Sequence, residues 1–345
     1  LNPQQNTGHG GAVYMTTGGT YDNNEFTNNS IAGFSDARGG AVFNGGDGTY
    51  TNTPFTNCAI SGAYQAWGGA VYTGSTGVYT DCSFSANTMT TSQNGYGGTL
   101  YNAGSATYTR VPFATNTLTM TGGDRGQGGA LFNGGTGDFT SCPLTDNSIA
   151  GNQNYADGGA VYCGSDTTFS TCDFLRNSAR GYYGIYGGAV KTGGSITASN
   201  GRCESNWTQS TYYGHAGGGA FYAPSSNAIF NNMTFVSNGV NDTSTITNYG
   251  GAAYIGGSTT ATACVFESNR SKDNYGGFHS GGAVTATDCS FISNYTGGTG
   301  GAFYCGSANM TRCVFTSNTG SNGDGGAFFA GSTVTAIDCP FTTNT

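Results

Sequence analysis

The side chains of this chain that could carry chemistry are its acids, histidines and cysteines, and their spacing builds no recognisable catalytic centre. The eighteen Asp and Glu residues are scattered, and no stretch presents two acids at a spacing that the following stretch repeats. His9, His215 and His279 each come just before a Gly-Gly pair, and they lie too far apart to share a metal ion. No Cys-x-x-Cys pair occurs among the eleven cysteines. We therefore predict no catalytic residues, no metal site and no cofactor, and we predict that the chain is not an enzyme.

Twelve copies of a two-part motif must position these side chains. The first part is Gly-Gly-Ala, with Thr99 in place of Ala in one copy, followed by an apolar residue and usually by an aromatic residue. It starts at Gly10, Gly39, Gly68, Gly97, Gly128, Gly158, Gly187, Gly218, Gly250, Gly281, Gly300 and Gly325. The second part is Phe-x-x-Asn, which is degraded in three copies. The period is 29–32 residues for most copies and shortens to 19 and 25 residues in 281–345.

A fixed period of this length is typical of a solenoid, in which each copy forms one coil stacked on the last. The 62 glycines and the charged fraction of only 8% are unsuited to a helical repeat and favour short strands separated by turns. We therefore predict a single all-β domain over residues 1–345. Its predicted architecture is a right-handed parallel β-helix of about twelve coils with three strands per coil, and the hand follows the general rule for parallel crossovers.

The asparagine of each Phe-x-x-Asn is predicted to lie at a corner of its coil, where the side-chain amide can bond the coils above and below. Such a ladder satisfies both polar ends of a carboxamide, whose burial is otherwise costly. The predicted ladder comprises Asn29, Asn87, Asn116, Asn147, Asn177, Asn206, Asn238, Asn269, Asn294, Asn318 and Asn344.

Alternation along the strands separates inward from outward columns. The apolar residue after Ala is predicted to point into the core. The next position is predicted to point outward, because Lys191 and Thr285 also occur in this otherwise aromatic column. The outward column comprises Tyr14, Phe43, Tyr72, Tyr101, Phe132, Tyr162, Tyr222, Tyr254, Tyr304 and Phe329. It could bind sugars, pack against a neighbouring rod, or simply stabilise the stacking of coils.

A column of cysteines two residues before the Phe is also predicted to point inward, together with Cys163 and Cys305. These two precede a column cysteine by nine and eight residues, so we predict Cys163–Cys172 and Cys305–Cys313 disulfides. Eleven cysteines and seven Asn-x-Ser/Thr sequons predict an extracellular or cell-surface location. The glycosylation candidates are Asn241, Asn232, Asn309 and Asn28.

Charge and hydropathy argue against two classes of partner. The net charge of −8 arises from scarce Lys and Arg, which argues against nucleic acid. No run of about 18 apolar residues occurs, so we predict no membrane insertion. One outward column has Asp81 and Arg110 in successive copies, and Asp288, Arg312 and Asp338 further on. This alternation predicts exposed ion pairs between coils.

Repeated Gly-Gly-Ala-[Ile/Leu/Val] with Phe-x-x-Asn resembles the repeat signature of the chlamydial polymorphic outer membrane proteins. Both half-motifs recur in the right order over nearly the whole chain. The resemblance implies a parallel β-helix passenger exposed on the cell surface, and it implies a role as an adhesin.

The phase of the repeat at the two ends of this sequence suggests self-assembly. If Leu1 of one copy followed Thr345 of another, ten residues would separate Asn344 from Gly10, and internal connections have 5 to 11. We therefore expect an extracellular structural protein whose copies stack head to tail into a filament or fibre. The alternatives are a cell-surface adhesin module that binds host or glycan surfaces and, third, a carbohydrate-active enzyme.

Overall fold

The computed structural model describes residues 7–151, 155–212, 214–241, 248–273 and 275–345. These residues form short β-strands joined by turns and contain no helix. Every strand pairs in parallel with the equivalent strand of the next coil, which confirms the predicted β-solenoid. Five parallel sheets run along the solenoid axis, and we call them A to E in the order in which the chain passes through them in one coil. Sheet A lies just before the pair, and sheets B, C, D and E follow it.

Sheets B, C and D each contain twelve strands. The strands of sheet B are Val13–Met15, Val42–Asn44, Val71–Thr73, Leu100–Asn102, Leu131–Asn133, Val161–Cys163, Val190–Thr192, Phe221–Ala223, Ala253–Ile255, Phe278–Ser280, Phe303–Cys305 and Phe328–Ala330. Those of sheet C are Gly19–Asp22, Gly48–Thr51, Gly77–Thr80, Ala106–Thr109, Gly137–Thr140, Thr167–Ser170, Ile196–Ser199, Ala228–Asn231, Thr259–Thr262, Ala283–Thr287, Ser307–Thr311 and Val334–Ile337. Those of sheet D are Phe26–Thr27, Pro54–Thr56, Ser83–Ser85, Phe113–Ala114, Leu144–Thr145, Phe174–Leu175, Arg202–Glu204, Thr234–Val236, Val265–Glu267, Ser290–Ile292, Val314–Thr316 and Phe341–Thr342.

Sheets E and A occupy the stretch between the asparagine and the next Gly-Gly pair. The strands of sheet E are Ser30–Ala32, Ala59–Ala63, Thr88–Thr91, Thr117–Met120, Ser148–Gly151, Ser178–Gly181, Trp207–Ser210, Gly239–Val240, Arg270–Ser271, Tyr295–Thr296 and Thr319–Gly320. Those of sheet A are Thr7–His9, Asp36–Arg38, Gln65–Trp67, Gly95–Tyr96, Arg125–Gln127, Tyr155–Asp157, Ile185–Tyr186, Ala216–Gly217 and Asn248–Tyr249. The prediction of three strands per coil was therefore wrong. A long coil has five strands, because the variable stretch bends once and a left-handed residue, such as Asp81 with φ +54°, separates the strand of sheet C from that of sheet D.

The corner glycines divide the chain into eleven complete turns. Each of these glycines has a left-handed φ, from Gly10 at +55° to Gly325 at +75°. The first eight turns have 29–32 residues and the next three have 24–26. In the three short turns the described residues form no sheet A strand, since the loop between the asparagine and the glycine pair is reduced.

The coil that begins near residue 276 corrects the predicted register. Gly276, not Gly281, takes the left-handed corner position, with φ +53°. Phe278 then pairs with Ala253 and Phe303, which places His279 in the outward aromatic column. The second glycine pair, at 281–282, fills the turn between sheets B and C. Thr285 therefore lies in sheet C and does not belong to the aromatic column.

Stacked side chains fill the interior between sheets B, C and D. Aromatic rings of sheet C stack from Tyr21 to Phe169, and those of sheet D stack from Phe26 to Phe113, with centroids 4.4–5.1 Å apart. A smaller apolar cluster lies between sheets E and A. Because one coil has too little apolar surface to fold alone, this packing between neighbours supplies the stability.

Candidate functional surface: the glycine corner and the columns beside it

The predicted asparagine column lies at the corner between sheets D and E. Nine of its members are buried, and only Asn29 and Asn344, in the first and last coils, are half-buried. Asn269 is typical: its Nδ2 donates to the Phe235 carbonyl at 2.8 Å, and its Oδ1 accepts the backbone N–H of Asn238 at 3.1 Å. Each amide from Asn87 to Asn318 also bonds the next asparagine side chain, at 3.1 Å for Asn269 to Asn294. These side chains are fully used between coils, so the column is structural.

The second coil has Cys58 at the asparagine position. Its backbone N–H donates to Asn87 Oδ1 at 2.8 Å, and its thiol donates to the Phe26 carbonyl at 3.4 Å. The thiol thus replaces the amide donor toward the preceding coil, and the ladder continues toward the following one.

The predicted aromatic column lies on the outer side of sheet B. All of its members are half-buried except Tyr14, which is exposed, and Phe43, which is buried. Neighbouring rings of the column stack with centroids 4.8–5.1 Å apart and planes inclined by 6–16°. Each ring therefore covers the faces of its neighbours and presents an edge to solvent. A sugar ring packs on an aromatic face, so this column is poorly suited to bind sugars and instead stabilises the stacking of coils.

His279 completes this column in the tenth coil. Its ring stacks between Tyr254, at 4.5 Å, and Tyr304, at 5.3 Å. Tyr249 and Tyr275 of neighbouring coils also contact it, so only phenols face the imidazole. Burial lowers the pKa of His279 to about 4 from its usual 6.5. The imidazole is consequently neutral in the folded protein over most of the acidic range.

His279→Phe should remove a component of the acid sensitivity of the fold. Because the pKa is lowered by folding, the stability due to neutral His279 is present above pH 6.5 and is lost as the pH falls toward 4. The wild type should lose up to about 3 kcal/mol more than the variant between these limits. Urea unfolding at pH 7 and pH 4.5 measures the difference, and parallel pH profiles for the two proteins would contradict the assignment.

A charged cluster interrupts the aromatic column at Lys191. Sheet A brings the residue before each glycine pair against the outer side of sheet B, and in one coil this residue is Asp157. The carboxylate of Asp157 is fully buried and lies 2.8 Å from Lys191 Nζ and 3.2 Å from Arg125 Nε. Gln127 Nε2 donates to the same carboxylate at 3.4 Å. The cluster bridges three successive coils. It contains two cations, Arg125 and Lys191, and one anion, Asp157.

Tyrosine rings cover this cluster from the solvent side. Lys191 Nζ lies 4.8 Å from the ring centroid of Tyr186 and 5.7 Å from that of Tyr222. Burial lowers the pKa of Lys191, and the nearby Asp157 carboxylate opposes that shift. Outward orientation of Lys191 was predicted from the difficulty of burying a lysine, but the structure buries most of the side chain. The aromatic cover and the Asp157 partner make this possible.

Asp157→Asn should destabilise the fold by about 3 kcal/mol, because it leaves a largely buried ammonium without its counter-charge. Adding Lys191→Tyr removes the buried ammonium and places at this position the tyrosine that the neighbouring coils have there. The double variant should therefore recover most of the lost stability. The exposed pair of Asp81 and Arg110 supplies the control, since Asp81→Asn should change the stability only slightly. Equal losses for the two single variants, measured by urea unfolding, would contradict the burial argument.

All eleven cysteines are free thiols, so the predicted Cys163–Cys172 and Cys305–Cys313 disulfides are wrong. Cys163 lies at the corner between sheets B and C, and Cys172 lies at the corner between C and D. The strand Thr167–Ser170 separates them, and four extended residues span about 13 Å, too far for an S–S bond. Ser307–Thr311 separates the other pair in the same way. Inward orientation of these cysteines was predicted correctly, since all four are buried.

The column cysteines make hydrogen bonds along the axis. The backbone N–H of Cys142 donates to Cys172 Sγ at 3.3 Å, and that of Cys313 donates to Cys339 Sγ at 3.3 Å. A thiol at this corner thus accepts a backbone bond from the preceding coil. The cysteines are therefore part of the core, and they give no support to an oxidising location.

The four glycosylation candidates Asn28, Asn232, Asn241 and Asn309 are all exposed. The predicted ion pairs between coils are present at Arg110–Asp81 and Arg312–Asp288, each with its shortest N–O distance at 2.6 Å. A third pair of the same kind, Arg176–Asp146, lies one corner further on. All three are exposed, so each stabilises the fold only slightly.

The described residues lack the side-chain groupings of two other kinds of site. Within them, no three His, Cys, Asp or Glu side chains come close enough to hold a metal ion. His9, His215 and His279 lie in different coils and do not contact one another. No described segment is a helix of the length and apolarity needed to cross a membrane. No protein-family model, curated protein or solved structure matches this chain.

Proposed function

We propose that this chain is a structural β-solenoid of an extracellular or cell-surface assembly, whose copies stack head to tail. The observation that carries the proposal is that the two columns repeated in nearly every coil, the asparagine column and the outward aromatic column, are used between coils. Asparagine amides bond coil to coil, and outward rings cover each other's faces. Such a rod is suited to bearing load or spanning a distance.

A stacked coil would cover apolar side chains of the last described coil. Val334, Ile337 and Phe341 of the last coil are exposed. The first coil presents the same columns, with Phe26 at the position of Phe341. An uncovered strand edge pairs readily with another strand, and a contact between two different ends of a subunit propagates into an open fibre.

Replacement of the exposed edge tests this proposal. Val334→Lys with Phe341→Lys should leave a folded protein that does not elongate, because these positions are in register with buried Ala308 and Phe315 and a stacked coil would bury the two charges. Thr343→Pro, the obvious way to block strand pairing, is unsuitable because Thr343 has φ +51°, which proline cannot adopt. Val78→Lys with Ile229→Lys, at exposed positions in inner coils, is the matched control. Negative-stain microscopy and sedimentation should show fibres for the wild type and the control alone; a monomeric wild type at high concentration would overturn the proposal.

The location outside the cell and the kinship with the chlamydial polymorphic outer membrane proteins remain proposals. Their support is the repeat signature and the four exposed sequons. An adhesive role is the second candidate function. It is favoured by a group of exposed tyrosines at the corner between sheets E and A, on a side of the rod whose charge differs from the rest.

A further inference from the structure

Charge is unevenly distributed around the rod. From the turn between sheets B and C round to the turn after sheet D, the described residues include twelve carboxylates and four cations. The opposite side, formed by sheets E, A and B, has five described carboxylates and six cations. These cations are Arg38, Arg125, Arg180, Lys191, Arg270 and Lys272. The acidic side therefore accounts for the net negative charge of the chain.

Exposed tyrosines cluster where sheets E and A meet, beside these cations. Tyr155, Tyr183 and Tyr212 have 41–49% of their surface exposed. Tyr155 stacks on Tyr183 at 5.8 Å, and Tyr182 stacks on Tyr212 at 4.6 Å. The two pairs meet edge to face at Tyr182 and Tyr183, with centroids 5.0 Å apart. The rings thus form one continuous surface over three successive coils.

Two arginines flank this aromatic surface. The Arg125 guanidinium lies 5.7 Å from the ring centroid of Tyr155 and is 46% exposed. Its charge is not needed to balance Asp157, because Lys191 already pairs with that carboxylate at 2.8 Å. Arg180 projects from sheet E two residues before Tyr182, is exposed, and forms no ion pair with a described residue. Positive charge is therefore available beside Tyr155 and on the strand that leads into Tyr182.

We propose that this surface, the tyrosine–arginine face formed by Arg125, Tyr155, Arg180, Tyr182, Tyr183 and Tyr212, binds an acidic polysaccharide. Exposed tyrosine rings provide apolar surface and hydroxyl groups for sugar rings. The two guanidinium groups match carboxylate or sulfate groups, for which arginine has the suitable fork of donors. The face extends over four rungs at a spacing of about 4.8 Å, so it suits a linear polymer lying along the axis.

The acidic side of the rod does not prevent such binding. It lies across the core from the tyrosine–arginine face, and the Debye length at physiological ionic strength is about 8 Å. Repulsion from those carboxylates is consequently screened at the face, whereas contacts with the arginines are direct. The outward column of sheet B, in contrast, offers only ring edges and is not part of this surface.

Binding to a sulfated polysaccharide of the heparin type, hyaluronan, neutral dextran and duplex DNA, measured by calorimetry, tests the proposal. The wild type should bind at least one of the two acidic polysaccharides, more weakly as salt increases, and should bind neither dextran nor DNA comparably. Arg125→Gln with Arg180→Gln should weaken that binding at least tenfold, and Tyr155→Ala with Tyr183→Ala should do the same.

Matched controls remove the same groups elsewhere. Arg110→Gln with Arg312→Gln takes two arginines from the acidic side, and Tyr64→Ala removes an exposed tyrosine outside the face. Both should bind within twofold of the wild type. Failure to bind either acidic polysaccharide, equal binding of DNA or dextran, or equal losses in the controls would overturn the inference. The titration is repeated with the non-elongating variant Val334→Lys with Phe341→Lys. This separates polysaccharide binding from assembly, because the face lies away from the stacking edge.

Discussion

Gly159→Ala is expected to destabilise the fold by more than about 4 kcal/mol, or to prevent folding, which is the largest effect of any change considered. Gly159 follows the corner residue Gly158, whose φ is +71°. A Cβ at position 159 would overlap the carbonyl oxygen of Gly188 in the next coil and the carbonyl group of Ser178. Both obstacles are backbone atoms held in the stack, so neither can move aside without separating two coils. Urea unfolding followed by circular dichroism measures the loss.

Gly33→Ala is the matched control for this substitution. Gly33 also has a left-handed φ, of +77°, but no atom lies within 4 Å of the Cβ that alanine would add. Only the conformational cost remains, which is about 1 kcal/mol. If Gly33→Ala and Gly159→Ala had equal effects, close approach of coils at the glycine corner would not be the reason for the glycine pairs.

Asn269→Leu is expected to cost about 4 kcal/mol, the second-largest effect. Leucine has the same number of side-chain heavy atoms as asparagine and the same branch at Cγ, but it leaves the Phe235 carbonyl and the Asn238 N–H, both buried, without their partners. Each buried group without a partner costs about 1–3 kcal/mol. Because the strands stack in one dimension, hydrogen exchange should increase most in the coils next to position 269.

Asn309→Leu provides the comparison for the ladder variant. Asn309 points outward from sheet C and is exposed, so its replacement should change the stability by less than about 0.5 kcal/mol. A similar loss in both variants would indicate that the amide ladder contributes no more than an average surface residue, and would contradict the role assigned to it.

Sequence periodicity predicted the columns well because each column is repeated. The inward position of Phe266 and the corner position of Asn269 follow from a motif that occurs at the same phase in coil after coil. Alternation along short strands then assigned the neighbouring positions to the core or to solvent. Features shared by many coils were therefore predictable from the sequence.

Features that belong to a single coil were not predictable from the sequence. Two glycine pairs, at 276–277 and 281–282, lie within seven residues, and only the pairing of Phe278 with its neighbours shows which forms the corner. Asp157 and Lys191 are 34 positions apart in the sequence. They come into contact because Asp157 ends a strand of sheet A and Lys191 lies on the outer side of the adjacent sheet B. The one available signal was that Lys191 is the only Lys or Arg in the outward aromatic column; Asp157 shares its position before the corner glycine with Arg38 and Asp324 and gave no signal. The tyrosine–arginine face gave no periodic signal at all.

The loss of sheet A in the last three complete turns gives the rod a taper. Its cross-section has five sides over the first eight turns and four sides afterwards. The two ends therefore differ in width as well as in the direction of the chain. In a fibre built as proposed, each narrow end would meet a broad one. The outline would then carry a notch at an axial repeat of about 55–60 Å, given twelve rungs of about 4.8 Å. Such a modulation would make the polarity of the fibre visible along its length.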